Sequence, residues 1–307
     1  MKSGDNMKIA VVGSGALGLY YGALLQRSGN DVRFLVRRDY EAIRKNGLHV
    51  RSINGDFHLP EVACYLRSED IGPVDLVVIG LKTWANDRYP ELVGPVVGRE
   101  TMLLTLQNGL GNEERLAELF GAERVYGGVA YLGANRGEPG TVCHLAAGRI
   151  ILGALLEQNR GQATELAGLF MTAGVPCQAV DDIRRARWEK LVWNIPFNGL
   201  CALMQRPVDQ LLAHEKTTGI IHRIMLEVIA AANAQGLREP IPEAFADEMI
   251  TFTRAMTASY QPSMQIDRAE GRPLELEALF ARPIAAGQAG KVTMPLTAAL
   301  YALLDLS

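Results

Sequence analysis

Lys190, Asn194 and Asn198 recur at intervals of four in the stretch WEKLVWNIPFN (188–198), with Leu191, Val192, Ile195 and Phe197 filling the gaps. At 3.6 residues per turn each step drifts by only about 40°, so the three polar side chains share one helical face. One ammonium and two amides in a row suit the reduction of a carbonyl. The ammonium stabilises negative charge on a developing alkoxide and can surrender a proton to it. The amides can orient a ketone, an α-hydroxyl or a carboxylate without adding charge, and leaving either buried without a partner costs about 1–3 kcal/mol. The plain alternative is a polar stripe that faces water or is satisfied within a helical domain. Pro196 interrupts the pattern: it removes the N–H that would bond the carbonyl of Val192, at a cost of roughly 3 kcal/mol to a helix.

A proton donor is half of a reduction; the other half is a hydride source. GSGALG (13–18) lies between an apolar run, KIAVVG (8–13), and a helical pattern, ALGLYYGALLQRSG (16–29). In that context Gly13 permits the tight turn, Gly15 lets the backbone approach a pyrophosphate, and Gly18 lets helix and strand pack closely. The helix N-terminus then offers free N–H groups and its positive dipole end to the phosphates. Gly13, Ser14, Gly15, Ala16, Leu17 and Gly18 are therefore the candidate phosphate cradle, against the alternative of a tight turn with no ligand. The next apolar run, DVRFLVR (31–37), ends with Arg37 and Arg38 ahead of Asp39. A guanidinium suits a ribose 2′-phosphate, whereas a carboxylate suits the 2′-hydroxyl. The order favours NADPH over NADH, unless both arginines are simply solvated.

The elements that must carry these residues are legible in outline. VDLVVIGLK (74–82) and TMLLTLQNG (101–109) read as further strands, closed by Lys82 and Asn108. In open α/β sheets ligands bind beyond the carboxyl ends of strands, which places both residues at a crevice; each alone is also ordinary strand-end or turn chemistry. Continuous apolar strands alternating with helices imply a mostly parallel sheet covered on both faces. From about residue 124 strand character is broken by Gly and Pro turns, as in an antiparallel hairpin. Beyond residue 180 the patterns are helical, with KTTGIIHRIMLEVIAAANAQG (216–236) and LTAALYALLDL (296–306) the clearest. The expectation is an α/β Rossmann-like NADP-binding domain over 1–180 and an all-helical substrate domain over 181–307.

Composition narrows the function classes. The chain has 307 residues, enough for two domains; it is 48% hydrophobic and 21% charged, as folded domains are. With 31 basic and 34 acidic residues the net charge is −3, which gives no electrostatic case for nucleic acid or an anionic membrane. Cys64, Cys143, Cys177 and Cys201 are widely spaced, so neither a metal knuckle nor a disulfide framework is expected. The first apolar run is too short for a signal peptide core or a membrane span. A cytoplasmic protein is the expectation, with MKSGDN (1–6) an unstructured extension. The apolar helices after residue 216 are buried either within one chain or at a homodimer seam.

In order and spacing, GSGALG (13–18), LKT (81–83), QNGLGN (107–112), WEKLVWNIPFN (188–198), PSMQID (262–267) and GRPLELEAL (271–279) resemble the ketopantoate reductase family over nearly the whole chain. The resemblance implies NADPH-dependent reduction of 2-dehydropantoate, a small 2-oxo acid, to (R)-pantoate on the way to pantothenate and coenzyme A. By matching position it makes Lys190 the proton donor and puts Asn194 and Asn198 on the substrate. Ser263 would hold the substrate carboxylate, and Asn108 would lie where cofactor and substrate meet. Glu275 would reach the nicotinamide ribose, and Lys82 and Arg37 would serve the cofactor. Ser263 follows Pro262, so a turn or helix start with free N–H groups fits a carboxylate there, though a simple helix cap fits equally. This chain departs from the family pattern at Pro196, at Val208 where some members carry an Asn, and at Phe280 and Ala281 where an Asn-Gly pair is usual. A kink at Pro196 would swing Asn198 relative to Lys190. These departures leave a related branched or bulkier 2-oxo acid as an alternative substrate. Two other readings are a two-domain dehydrogenase of another type and a non-enzymatic NADPH-sensing protein, which would need neither Lys190 nor Glu275 in register.

Overall fold

The computed structural model describes residues 6–256 and 259–306, so the first five residues of the expected N-terminal extension lie outside the described residues. The chain divides into two compact units, one of Met1–Gln107 with Asn112–Ile183 and one of Asn108–Gly111 with Arg184–Ser307. The second unit thus claims four residues from the middle of the first, which no composition shift signals.

The first unit is built on a ten-stranded sheet. Its strands are β1 (Lys8–Val12), β2 (Asp31–Leu35), β3 (Leu48–Ser52), β4 (Phe57–Leu59), β5 (Ala63–Tyr65), β6 (Val74–Ile79), β7 (Val97–Thr105), β8 (Val125–Arg136), β9 (Thr141–Ala154) and β10 (Cys177–Ala179). The order is β4-β3-β9-β8-β7-β6-β1-β2-β5, with β10 added beside β9. All neighbours run parallel except β3 with β4 and the hairpin of β8 with β9. The short β3, β4, β5 and β10 escape the sequence reading, because three to five residues carry too little periodicity to separate a strand from a loop. From β1 the chain continues to β2 on one side and later returns to β6 on the other, so the strand order reverses at β1. Such a switch point is where open α/β sheets bind ligands.

Helices α1 (Ala16–Arg27), α2 (Tyr40–Asn46), α3 (Tyr89–Leu92), α4 (Asn112–Phe120) and α5 (Arg160–Thr172) complete the unit. Alternate strand residues feed two separate cores. Ile9, Val11, Val32 and Phe34 pack with Leu19, Tyr21 and Leu25 of α1, while Ala10, Val12, Leu35 and Val77 pack with Tyr89, Val93 and Leu116. Burial on both faces is why these strands read as unbroken apolar runs.

The second unit is helical. Its helices are α6 (Ile183–Met204, whose first residue belongs to the first unit), α7 (Val208–Leu212), α8 (Glu215–Asn233), α9 (Ala244–Arg254), α10 (Ser263–Ala269), α11 (Arg282–Ala289) and α12 (Pro295–Asp305). A π-helical turn, Glu277–Ala281, leads directly into α11. Ile221, Ile224, Met225, Val228, Ile229 and Ala232 of α8 recur at helical spacing and meet Trp188, Leu191, Val192 and Ile195 of α6 in one core.

α6 runs as one helix from Ile183 to Met204 with Pro196 inside it. Pro196 is buried between Ile195 and Phe197, and burial of those side chains contributes about 1.5–3 kcal/mol each, enough to offset a lost hydrogen bond. Phe280 is fully buried and its ring stacks on Tyr301 at 6.4 Å, while Val208 is a buried core residue at the start of α7. Both residues lie in the core of the second unit.

Candidate active site

In the first unit the glycine loop follows β1. Gly13 has φ +100°, and a Cβ there would collide with the backbone of Gly80 and Leu81; a Cβ on Gly18 would strike the Gly13 carbonyl. Gly15 has nothing within 4 Å of where its Cβ would stand. The loop is therefore tight where strand and helix meet and open where a diphosphate would approach. Gly15 caps α1 with no side-chain hydrogen bond, and the first turn carries no acid, so the helix N–H groups face no competing carboxylate of their own. The residues present fit a dinucleotide diphosphate. Ala16 and Leu17 are half-buried in the first turn. The hydroxyl of Ser14 donates to the Leu35 carbonyl at 2.8 Å, tying the loop to the end of β2 and leaving its backbone N–H for a ligand.

Two strand ends fall short of their expected positions. β6 stops at Ile79, so Lys82 lies beyond it, half-buried at the start of the 3₁₀ turn Thr83–Arg88. β7 stops at Thr105, so Asn108 is a loop residue. Arg37 and Arg38 lie past the end of β2 and are exposed, while Asp39 is buried and ion-paired with Arg136. A buried amide network, which the sequence reading missed, supports the end of β7. Tyr89 donates to Gln107 Oε1 at 2.5 Å, Gln107 Nε2 to Asn86 Oδ1 at 2.8 Å, and Asn86 Nδ2 to Asn112 Oδ1 at 2.8 Å. Gln107 and Asn112 flank Asn108 in the QNGLGN motif; only their side-chain types hinted at such a role.

The second unit gathers the rest. Lys190 Nζ donates to Asn108 Oδ1 at 2.6 Å, an 82-residue separation in sequence. The half-buried ammonium has its pKa lowered to about 7, first by desolvation and then by the charge of Arg187, with Glu275 pulling the other way. Arg187, one helical turn before Lys190 and only 6% exposed, is the second feature the sequence reading missed. Its signal was the i, i+3 spacing with Lys190, masked by the ordinary expectation that arginines face water. Glu275 is also buried, ahead of the π-helical turn.

Asn194 is 4% exposed, and its carboxamide has no hydrogen-bond partner among the described residues. Asn198 is buried as well, but its Oδ1 accepts from the Met264 N–H at 3.1 Å and from the Ser263 hydroxyl at 3.4 Å. It thereby serves as a cap, from another helix, for the N-terminus of α10, where Pro262 has no side chain to do so. Ser263 is exposed at that helix start. The structure thus brings Lys190, Asn108, Arg187 and Glu275 into one electrostatic group, and joins Asn198 to Ser263. Asn194, on the same helical face as Lys190, is left with no hydrogen-bond partner among the described residues.

Among the described residues no cluster of three His, Cys, Asp or Glu side chains could hold a metal ion, and no helix is long and apolar enough to cross a membrane.

Known proteins resemble this chain over most of its length. The family model for ketopantoate reductase PanE/ApbA matches residues 9–157, and the model for the C-terminal part of the same family matches residues 182–306. A 2-dehydropantoate 2-reductase from Nostoc sp. is 40% identical over 302 residues, covering 97% of this chain and 94% of the relative. The crystal structure of a 2-dehydropantoate 2-reductase from Geobacter metallireducens GS-15 is 61% identical with a TM-score of 0.96, covering 97% and 99% of the two chains. D-mandelate dehydrogenase, solved with NADH and anilino(oxo)acetate, is 23% identical with a TM-score of 0.89 over 98% of each chain, a likeness of fold.

Proposed function

Because the chain belongs to the ketopantoate reductase family, we propose that it reduces 2-dehydropantoate to (R)-pantoate with NADPH, Lys190 being the proton donor. Membership makes it an NAD(P)-dependent oxidoreductase acting on a small molecule.

The observation that carries it is the Lys190 ammonium, with a pKa of about 7, bonded to Asn108 on the same helical face as the unpartnered amide of Asn194. A lysine with an unperturbed pKa near 10.4 would release its proton reluctantly at neutral pH; one near 7 both holds and gives it. When bound, reduced nicotinamide supplies the hydride to the keto carbon. Lys190 stabilises the alkoxide that develops on the carbonyl oxygen and transfers its proton there, then regains one from water. Asn108 holds the ammonium in place by accepting one of its three N–H bonds. Asn194 meets the keto oxygen or an α-hydroxyl, and the free Nδ2 of Asn198 meets the carboxylate, joined by the Ser263 hydroxyl when it turns from its 3.4 Å bond to Asn198 Oδ1. Glu275 favours the charged form of Lys190 and takes the ribose side. Gly13, Ser14, Gly15, Ala16, Leu17 and Gly18 hold the diphosphate by backbone N–H groups, with Arg37 and Lys82 serving the adenosine and phosphate side.

The test is a panel of 2-oxo acids with NADPH and NADH side by side, following loss of nicotinamide absorbance. The highest kcat/KM is expected for ketopantoate with NADPH. A faster branched or aromatic 2-oxo acid would replace the substrate assignment, and no turnover of any member would end the enzymatic reading.

Two predictions arise directly. Reduction needs the protonated ammonium, so kcat for the ketone should fall about tenfold per unit as pH rises beyond about 7; oxidation of the hydroxy acid needs the free amine and should rise through the same pH. Flat profiles between about pH 6 and 9 would remove Lys190 as the titrating group. Asn194→Leu should leave thermal stability unchanged or raised by about 1 kcal/mol, since an unpartnered buried amide is replaced by a side chain of similar size, yet weaken substrate binding at least about tenfold. A destabilised variant with normal KM would mean that the amide serves the fold instead.

A further inference from the structure

Asp39 occupies the N-cap position of α2, in the connection that carries Arg37 and Arg38 past the end of β2. Aspartate is a preferred N-cap, yet its carboxylate makes no capping bond to its own helix. It is 3% exposed and pairs instead with Arg136, the last residue of β8, 97 positions along the chain. Arg136 is itself about one-quarter exposed, at 28%. The two arginines of the same connection remain exposed.

We infer that Arg136 is a specificity-determining residue: by holding Asp39, it keeps the β2–α2 connection selective for a coenzyme bearing a 2′-phosphate. A carboxylate near the end of the second strand is the group that dinucleotide sites use for an unphosphorylated ribose, where it accepts a bond from the 2′-hydroxyl and repels a phosphate. Asp39 is the right residue type in the right connection for the wrong coenzyme. Paired with Arg136 it is neutralised, and Arg37 with Arg38 leave the connection at +2. Unpaired, it would bring that sum to +1 and supply an acceptor for the hydroxyl. The reach from the far end of a 12-residue strand explains why the local order Arg-Arg-Asp could not show which charge prevails.

The inference rests on the NADPH reading, and the experiment separates the two. Wild type, R136M and R136M/D39N are compared by the ratio of kcat/KM for NADPH to that for NADH. Binding of 2′,5′-ADP and of 5′-ADP is measured by calorimetry on the same proteins. R136M is expected to lower the NADPH:NADH ratio and the affinity for 2′,5′-ADP by at least about tenfold, with the affinity for 5′-ADP unchanged or raised; the added D39N substitution is expected to restore the preference. A purely structural role would weaken both coenzymes alike. Should R136M fail to fold, R136Q keeps a hydrogen-bond donor against Asp39 without the charge and is expected to shift the ratio in the same direction. A preference that survives in folded R136M or R136Q, or that D39N does not restore, overturns the role of Arg136 alone. A wild-type protein indifferent to the 2′-phosphate overturns the coenzyme reading and this inference with it.

Discussion

Lys190→Ala is expected to lower kcat for 2-oxo-acid reduction by about 10²–10⁴ while leaving NADPH affinity within about twofold, as read by coenzyme fluorescence titration beside single-turnover kinetics. The size of the loss follows from what the side chain does. It gives the alkoxide a proton and a positive charge in surroundings that already disfavour its own protonation, so alanine leaves the developing oxyanion with the Asn194 amide alone. Coenzyme binding should hold, because the glycine loop and the α1 N-terminus belong to the first unit and Lys190 to the second. Lys190→Arg should not restore the rate. A guanidinium remains protonated at any working pH, and its planar fork does not replace a compact ammonium 2.6 Å from Asn108. Added primary amines, by contrast, should rescue the alanine variant in part. An alanine variant with wild-type kcat would show that the proton comes from elsewhere.

The Lys190 environment also makes two smaller substitutions informative. Removing the neighbouring positive charge, as in Arg187→Met, should move the pH limb upward, and Glu275→Gln should move it downward, because the two charges act on the ammonium with opposite sign.

Gly109→Ala is the second large effect, expected to destabilise the protein by roughly 2–4 kcal/mol and to lower kcat at least about tenfold. Gly109 has φ +81°, a conformation that L side chains rarely adopt. An alanine methyl would also run into the backbone of Ala278 in the π-helical turn, and backbone cannot yield as a flexible side chain can. The same turn receives the next residue, since Leu110 N–H donates to the Ala278 carbonyl at 3.0 Å. Lifting this loop carries Asn108 away from Lys190, so stability and turnover should fall together. Asn108→Ala is the control: it removes the hydrogen bond to the ammonium with no clash, and should lower kcat with little change in midpoint on thermal or urea unfolding. A Gly109→Ala protein with the wild-type midpoint would mean that the loop can dock without its glycine.

How much was legible differs between the parts of the molecule. The glycine loop, β1, α1 and β2 follow from residue order, because unbroken apolar strands and a glycine-rich turn leave few alternatives. The long helices α8 and α12 start and stop within a few residues of the spans their apolar periodicity suggests. The short strands β4, β5 and β10 were not legible. Each is three residues long and exists because a neighbouring strand supplies its hydrogen bonds.

By itself the sequence determined what local geometry dictates: Lys190, Asn194 and Asn198 on one face, a diphosphate cradle at a helix start, and two arginines at the end of the second strand. Tertiary structure alone decided what each group faces. It partnered Lys190 with Asn108, turned Asn198 into a cap for α10, buried Asp39 against Arg136 and hid Phe280 in the core. The physical reason is that side-chain direction and helical phase depend on backbone dihedrals a few residues apart, whereas desolvation, ion pairing and a lysine pKa of about 7 depend on atoms that only packing brings together.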